Sequence, residues 1–156
     1  MQMLSPKEAL NMWNEISQTL DESIPVNLRS PGFFIDQLRQ NVSNGTVICW
    51  SRHDGDNLAT ITVTTIIDDY LLKTRNLCIF AAKNFIPSTF DLRKDMFNCL
   101  ANYGAKMGCR NIIAYSNNDK ISEYAAEMNA NKQSVYCFNI IDWWTNKENT
   151  DASKNS

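Results

Sequence analysis

The chain has 156 residues, of which 44% are hydrophobic and 21% are charged, and its formal net charge is −2. This length and composition predict one globular domain with a sizeable hydrophobic core. The slightly negative charge argues against a nucleic-acid binder that works by neutralising phosphates. No stretch approaches the roughly 20 apolar residues of a membrane span. The N-terminus lacks the basic-then-apolar pattern of a signal peptide, so we expect a cytoplasmic location.

An amphipathic helix is predicted close to the N-terminus. Ser5 can cap this helix, Pro6 suits its first position, and Glu8 completes a capping box. The helical spacing of apolar residues that follows predicts one face turned towards the core. These residues are Ala9, Met12, Trp13, Ile16 and Leu20.

A second helix is predicted before residue 45. Ser30-Pro31 repeats the helix start signal, and Gly45 is expected to end the helix. Between them, apolar side chains recur at helical spacing and predict a buried stripe. The residues of this stripe are Phe34, Leu38 and Val42.

Two strands of a β-hairpin follow, over residues 46–51 and 58–67. Apolar residues and threonines alternate in the second strand, which is typical of a half-buried strand. The residues between the strands are turn formers, so His53 is expected to be an exposed loop residue. Asp68 and Asp69 begin the next connection. They belong to a solvated turn, or they line a cleft and one of them is the general base.

Strands and helices alternate over residues 77–141. Apolar strands are predicted at 77–82, 111–115 and 135–141, with a helix at about 91–107 that Gly108 ends. A second helix begins near Asn118. Because parallel neighbours need a long crossover, we expect the first two of these strands to be parallel. Ligands in such sheets sit outside the carboxyl ends of the strands.

The complete predicted order is α-α-β-β-β-α-β-α-β. It indicates an α/β (α+β) fold with a central mixed, mostly antiparallel sheet that is flanked by helices. A single domain is expected over residues 1–144. The polar residues 145–156 are expected to form a flexible tail.

The five cysteines do not form a metal-binding or disulfide pattern. No Cys-x-x-Cys pair occurs, and the chain has a single histidine, so neither a zinc site nor a histidine-based catalytic triad is expected. Apolar neighbours predict buried, reduced and mostly unreactive thiols. The residues are Cys49, Cys78, Cys99, Cys109 and Cys137.

Two motifs in the second half of the chain carry a family resemblance. One is the strand and loop that lead into the 91–107 helix, and the other is Asn118 with Tyr124 six residues later. Together with the order of elements, they resemble the GNAT family of acyl-CoA-dependent N-acetyltransferases. The match in layout extends from about Ser5 to Ile141, and it is specific at the residue level only from Leu77 onward.

In that family, the strand corresponding to residues 77–83 pairs its exposed backbone with the pantetheine arm of the coenzyme. The next loop and helix N-terminus hold the pyrophosphate, because a helix start offers unpaired N–H donors and a partial positive charge. The resemblance therefore implies acetyl-CoA as cosubstrate. It also implies backbone contacts from Ala81, Ala82 and Lys83.

The loop at residues 83–91 departs from the family pattern. It reads Lys-Asn-Phe-Ile-Pro-Ser-Thr-Phe-Asp, where the family usually has Arg/Gln-x-x-Gly-x-Gly/Ala. Without glycine, the backbone approaches a phosphate less easily. The hydroxyls of Ser88 and Thr89 and the charges of Lys83 and Arg93 would then contact the coenzyme. In the alternative interpretation, a polar residue of this loop caps the helix.

The second motif implies roles for two side chains. In the family, the Asn contacts the coenzyme arm and the Tyr protonates the departing thiolate, and Asn118 and Tyr124 have that spacing. A phenol is a suitable general acid, since it holds its proton until a strong base appears. Asn129-Ala130 stands where the family has Gly-Phe. Alternatively, Tyr124 packs its ring against the sheet from an amphipathic helix.

Three functions are compatible with these features. The first is acetyl transfer from acetyl-CoA to a primary amine, with an oxyanion held by backbone N–H groups near residues 81–83. The second is a non-catalytic relative of the kind that bacteriophages encode, some of which are internal virion components, placed in the host cytoplasm or the virion. The third is a coenzyme-binding module without turnover.

The pair Trp143–Trp144 follows the last predicted strand. In one interpretation the pair closes the edge of the core. In the other it contacts another chain, in a homo-oligomer or a virion, since Trp is enriched among interface anchors.

Overall fold

A computed structural model of the protein describes residues 1–24, 29, 32–115 and 119–131. The chain divides into two compact units, Met1–Asn118 and Asp119–Ser156. The last predicted strand at 135–141, the tail at 145–156, Asn118, Cys137 and the Trp pair lie outside the described residues. The single domain over 1–144 therefore stays a prediction.

The described helices and strands follow the predicted order with three differences. A short strand precedes them, and the first predicted helix is split in two. The second predicted helix begins only at Ile35, as a 3-10 turn, so Phe34 lies before it and is exposed instead of buried. The first unit contains β1 (Gln2–Met3), α1 (Pro6–Asn11), α2 (Trp13–Ser23), a 3-10 turn (Ile35–Gln37), α3 (Leu38–Ser43), β2 (Val47–Asp54), β3 (Asn57–Asp69), β4 (Thr74–Asn84), α4 (Phe90–Lys106) and β5 (Asn111–Ala114). The second unit contains α5 (Asp119–Glu127).

The predicted capping box is present at the first helix. The Ser5 amide donates to the Glu8 carboxylate at 2.7 Å, and the Glu8 amide donates to Ser5 Oγ at 3.3 Å. The expectation of one continuous helix is wrong, because Met12 departs from helical geometry and separates α1 from α2. The amphipathic pattern runs through this break, so periodicity alone did not reveal it.

Five strands form one sheet in the order β1-β2-β3-β4-β5. Strands β1 to β4 pair antiparallel, and β4 and β5 pair parallel. The predicted mixed, mostly antiparallel sheet and the predicted parallel pair are both confirmed. Strand β1 was not predicted, because two residues are too few to show a period.

Helices cover both faces of the sheet. The α1–α3 face buries a large apolar cluster that includes Ile16, Leu20, Ile61 and Val63. The α4 face buries Trp50, Leu77 and Leu100, together with a row of threonines on β3. Trp50 donates its indole N–H to Thr64 Oγ1 at 2.9 Å, so this polar row is hydrogen-bonded within the core.

The described cysteines are thiols packed in or near the core. Cys49 and Cys78 are buried, and Cys99 and Cys109 are half-buried. Burial raises the pKa of Cys49 to about 12 and also raises the pKa of Cys78. The thiolate is the reactive form, so burial keeps these two thiols unreactive at neutral pH.

Among the described helices, none combines the length and the apolar character needed to cross a bilayer.

Candidate functional site

The site is built where β4 loses one of its two neighbouring strands. Strand β5 pairs with β4 only from Asn76↔Asn111 to Ile79↔Ala114. Strand β4 then continues to Asn84, paired with β3 along its other side. Within the described residues, no strand pairs with the β5-facing side of β4 at 80–84. We call this segment the open edge.

A β-bulge lies at the start of the open edge. Val63 is opposite Ala81 and Thr64 is opposite Ile79, so Phe80 is an extra residue in β4. A bulge bends its strand and re-aims the peptide groups beside it. The bulge and the departure of β5 therefore occur together, and among the described residues no strand pairs with this stretch of β4 on that side.

Hydrogen bonding to β3 decides which peptide groups face the open edge. The Phe85 amide donates to Ala59 O at 2.8 Å. Because peptide groups alternate in direction along an antiparallel strand, those of Ala81 and Lys83 face β3, and those of Ala82 and Asn84 face the open edge. Consistent with this, Ala82 O accepts a hydrogen bond from Ser23 Oγ at 3.4 Å, outside the β3 ladder.

This alternation refines the three backbone contacts expected from the sequence. The structure points the Ala82 peptide to the open edge, whereas Ala81 is buried, with 3% of its surface exposed. Asn84 was not expected to contribute. It could have been found by counting two residues along the strand from Ala82, had the direction of one peptide group been known.

The Lys83 side chain contacts α2. Its ammonium lies 2.7 Å from Glu22 Oε1 and 5.2 Å from the centroid of the Phe85 ring. The hydrogen bond from Lys83 lowers the pKa of Glu22. A coenzyme contact through the Lys83 side chain stays a prediction, and it would have to share the ammonium with Glu22.

The polar residues of the 83–91 loop organise the start of α4. Thr89 is the N-cap, and its Oγ1 accepts the Leu92 amide at 3.3 Å. The Arg93 guanidinium donates to Ser88 O at 2.8 Å. The capping alternative is therefore correct for Thr89. Coenzyme contacts from Ser88, Thr89 and Arg93 stay predictions.

Arg52 is a further cation at the start of α4 that the sequence did not indicate. It lies on β2, and its Nη1 is 3.5 Å from Leu92 O in the first turn of α4. The register of β2 shifts between Arg52 and His53. Arg93 lies on this first turn and Arg52 reaches it from β2, so two cations and the helix dipole favour an anion there, against the negative charge of Asp91 in the same turn. Only the packing of α4 on the sheet brings Arg52 to this place.

Tyr124 lies on α5 in the second unit and is half-buried. Asn129 follows the helix with φ of 55°, which agrees with the left-handed helix end expected from Asn at this position. Because Asn118 is outside the described residues, its contact with the coenzyme arm stays a prediction. The role of Tyr124 as the proton donor also stays a prediction.

The two candidate carboxylates at the end of β3 are held by structural contacts. Asp68 forms two hydrogen bonds with the Arg75 guanidinium, at 2.8 and 3.1 Å, and these lower the pKa of Asp68. Asp69 accepts the amides of Leu71 and Leu72 in the following turn. These contacts are those of the turn alternative, and a role of either carboxylate as general base stays a prediction. In the described part of the chain, no three His, Cys, Asp or Glu side chains cluster as metal ligands.

No protein-family model matches the sequence, and no curated protein matches it. Solved structures do match, over most of this chain and most of their own length. A predicted acetyltransferase with acetyl-CoA from Clostridium acetobutylicum has a TM-score of 0.66 at 15% identity, with 90% of this chain and 96% of that chain covered. The protein has the GNAT acetyltransferase fold.

Two further solved structures with this fold are, by their names, acetyltransferases for two different substrates. An aminoglycoside acetyltransferase from an uncultured soil metagenomic sample has a TM-score of 0.65 at 13% identity, covering 89% of this chain and 95% of that one. A ribosomal-protein-alanine N-acetyltransferase from Brucella melitensis biovar Abortus 2308 has a TM-score of 0.60 at 11% identity, covering 89% and 96%. At these identities the likeness establishes the fold alone.

Proposed function

We propose that the protein transfers an acetyl group from acetyl-CoA to a primary amine. The observation that carries this proposal is the open edge of β4 beside the Phe80 bulge. It offers the peptide groups of Ala82 and Asn84 to an extended ligand. A structure with the same fold contains acetyl-CoA, and other proteins with this fold are acetyltransferases for aminoglycosides and for a ribosomal protein.

The pantetheine arm suits such an edge, because it is extended and carries amide groups of its own. An extended ligand adds to an exposed strand through main-chain hydrogen bonds. In the proposed reaction, the amine nitrogen attacks the thioester carbonyl, and a backbone N–H near the bulge stabilises the oxyanion. The C–S bond then breaks, the nitrogen loses a proton, and the thiolate gains one. Tyr124 is the proposed proton donor, and Asn118 is proposed to hold the coenzyme arm.

The phosphates are proposed to lie at the first turn of α4. Arg52 contacts Leu92 O in this turn, and Arg93 lies on the turn and donates to Ser88 O just before it. These two cations would supply the attraction that a glycine-rich loop otherwise provides through its N–H groups. Ser88 and Thr89 would add hydroxyl contacts. Charged side chains, and not closely approaching backbone N–H groups, would then hold the pyrophosphate.

A second candidate function is a non-catalytic protein with this fold, such as a bacteriophage scaffold or virion component. The loop at 83–91 favours it, because the loop has no glycine and its polar groups make internal contacts. Thr89 caps α4, and Lys83 pairs with Glu22. In this case Trp143–Trp144 would contact the partner chain.

Calorimetric titration with acetyl-CoA separates the two candidates. Saturation at 100 times the dissociation constant would stabilise the fold by about 2.7 kcal/mol, which a thermal shift detects. Thiol release with a panel of primary amines then measures turnover. Binding with turnover supports the acetyltransferase, and binding without turnover indicates a coenzyme-binding module. Absence of acetyl-CoA binding supports the non-catalytic protein.

A further inference from the structure

The turn between β3 and β4 exposes three consecutive large apolar side chains. Tyr70, Leu71 and Leu72 are 88%, 95% and 73% exposed. Single exposed apolar residues are ordinary on a protein surface, but a contiguous group of them marks a site that contacts a protein or a membrane. We call these three residues the hairpin tip.

The hairpin tip has an ordered backbone. Asp69 Oδ1 accepts the amides of Leu71 and Leu72 at 3.0 and 2.9 Å, and Lys73 closes the turn in the left-handed region with φ of 51°. Because the backbone is already fixed, little conformational entropy is lost when the apolar side chains are buried against a partner.

Basic side chains lie around the hairpin tip. The Arg110 amide donates to Arg75 O at 2.7 Å, and Arg75 Nη1 donates to Met107 O at 3.4 Å. These hydrogen bonds hold the end of α4 and the start of β5 beside the first residues of β4. The exposed cations at this end of the sheet are Lys73, Arg75, Lys106 and Arg110.

The charge at this end of the sheet is opposite in sign to that of the whole chain. Among the described residues here, the carboxylates are Asp68, which is paired with Arg75, and Asp69 in the turn. The cations outnumber these carboxylates, whereas the whole chain has 15 basic and 17 acidic residues. Positive charge and exposed apolar surface therefore coincide at one place. A partner that matches both is anionic at its surface and apolar beneath it.

The shape of the hairpin tip favours a bilayer over a protein as this partner. The tip is a narrow projection of three residues, whereas stable protein interfaces use roughly 20–30 residues on each side. A bilayer needs no complementary groove, because lipids rearrange around an inserted side chain, and apolar groups enter it to a depth of roughly 5–10 Å. Tyr side chains are also enriched at the level of the lipid headgroups.

We propose that the hairpin tip inserts into the surface of an anionic lipid bilayer, with Lys73, Lys106 and Arg110 against the charged headgroups. A small apolar insertion alone gives marginal binding, and a basic patch supplies the second signal that stable attachment requires. Ala82 lies about 26 Å along β4 from Thr74, at a rise of roughly 3.3 Å per residue. The open edge is thus at the other end of β4, so this proposal does not depend on acetyl transfer.

The test measures co-sedimentation of the full chain with lipid vesicles. One set of vesicles contains phosphatidylcholine with about 30% phosphatidylserine, and the other contains phosphatidylcholine alone. Leu71→Ser with Leu72→Ser removes apolar surface without a change of charge. Phe34→Ser is the matched control, because Phe34 is 68% exposed and lies outside the hairpin tip.

A second pair of variants tests the charge. Lys106→Gln removes a cation from the last turn of α4, and Lys94→Gln removes one near the start of the same helix, where it is also exposed. Melting temperatures establish that every variant is folded.

We expect the unmutated protein to bind the anionic vesicles and not the neutral ones, with weaker binding in high salt. The Leu71 and Leu72 double variant should lose about tenfold or more in affinity, because it removes two side chains that each contribute about that factor when fully buried. Lys106→Gln should lose about fivefold. Phe34→Ser and Lys94→Gln should bind like the unmutated protein.

Absence of binding to the anionic vesicles would overturn the proposal. Binding that survives the two leucine substitutions would overturn it as well, since it would show adsorption without insertion. Equal losses in Lys106→Gln and Lys94→Gln would contradict the placement of the basic surface. Self-association that needs Leu71 and Leu72, without vesicle binding, would assign the hairpin tip to a second copy instead.

Discussion

Replacing Ala82 with proline tests the open edge of β4 directly. Proline has no N–H, and its ring would occupy the position where a ligand pairs with the strand. The Ala82 peptide faces away from β3, so the substitution removes no bond of the β3–β4 ladder. We therefore expect Ala82→Pro to fold and to lose affinity for acetyl-CoA.

The magnitude follows from the hydrogen bond that is lost. A neutral hydrogen bond contributes about 0.5–1.5 kcal/mol net, which is roughly a 2- to 13-fold change in the dissociation constant. If the same N–H stabilises the oxyanion, the turnover rate falls by a further factor of about 10²–10³. Calorimetry with acetyl-CoA gives the first quantity, and thiol release under saturating acetyl-CoA gives the second.

The neighbouring residue provides the matched control. Ala81 is buried and its peptide faces β3, so Ala81→Pro should leave a buried carbonyl of β3 without its donor. Such a loss costs about 1–3 kcal/mol of the free energy of unfolding. Urea unfolding should therefore show a destabilised Ala81→Pro and an Ala82→Pro close to the unmutated protein. Unchanged acetyl-CoA affinity and turnover in Ala82→Pro would refute the proposed pairing of the coenzyme with this edge.

Four further predictions concern single side chains. Tyr124→Phe should lower the turnover rate by about 10²–10⁴-fold with little change in stability, and an unchanged rate would remove Tyr124 from the mechanism. Arg52→Ala should weaken acetyl-CoA binding in calorimetry more than it lowers turnover at saturation, because phosphate contacts are made equally in ground and transition states. Thr89→Ala should reduce the free energy of urea unfolding by about 0.5–2 kcal/mol, and no change would contradict its role as a cap. Since Lys83 lowers the pKa of Glu22, this pair stabilises the fold above the ordinary carboxylate pKa and loses its effect as pH falls through the lowered value. Glu22→Gln should therefore show a smaller loss of melting temperature on acidification than the unmutated protein.

Much of the fold follows from local signals in the sequence. The capping box at Ser5 and the glycine stop at Gly108 place helix ends within a residue or two, because capping depends on neighbours along the chain. Alternation of apolar residues and threonines likewise predicts strand β3, but it did not predict that both faces of the strand are buried, with Thr62 and Thr64 as inaccessible as Ile61. The crossover helix between β4 and β5 predicts their parallel pairing, since a connection of that length leaves few other arrangements.

The details of the candidate site depend on residues that are distant in sequence. Arg52 reaches α4 only because the helix packs across the sheet, and Lys83 pairs with Glu22 only because α2 covers β4. The bulge at Phe80 is defined by the way β4 pairs with β3, so it depends on a partner strand as well as on the sequence of β4. Periodicity records which face of an element is apolar, but it carries no information about which element covers that face. The sequence by itself therefore determined the order and type of most elements, and the tertiary structure decided which peptide groups and charges meet at the open edge.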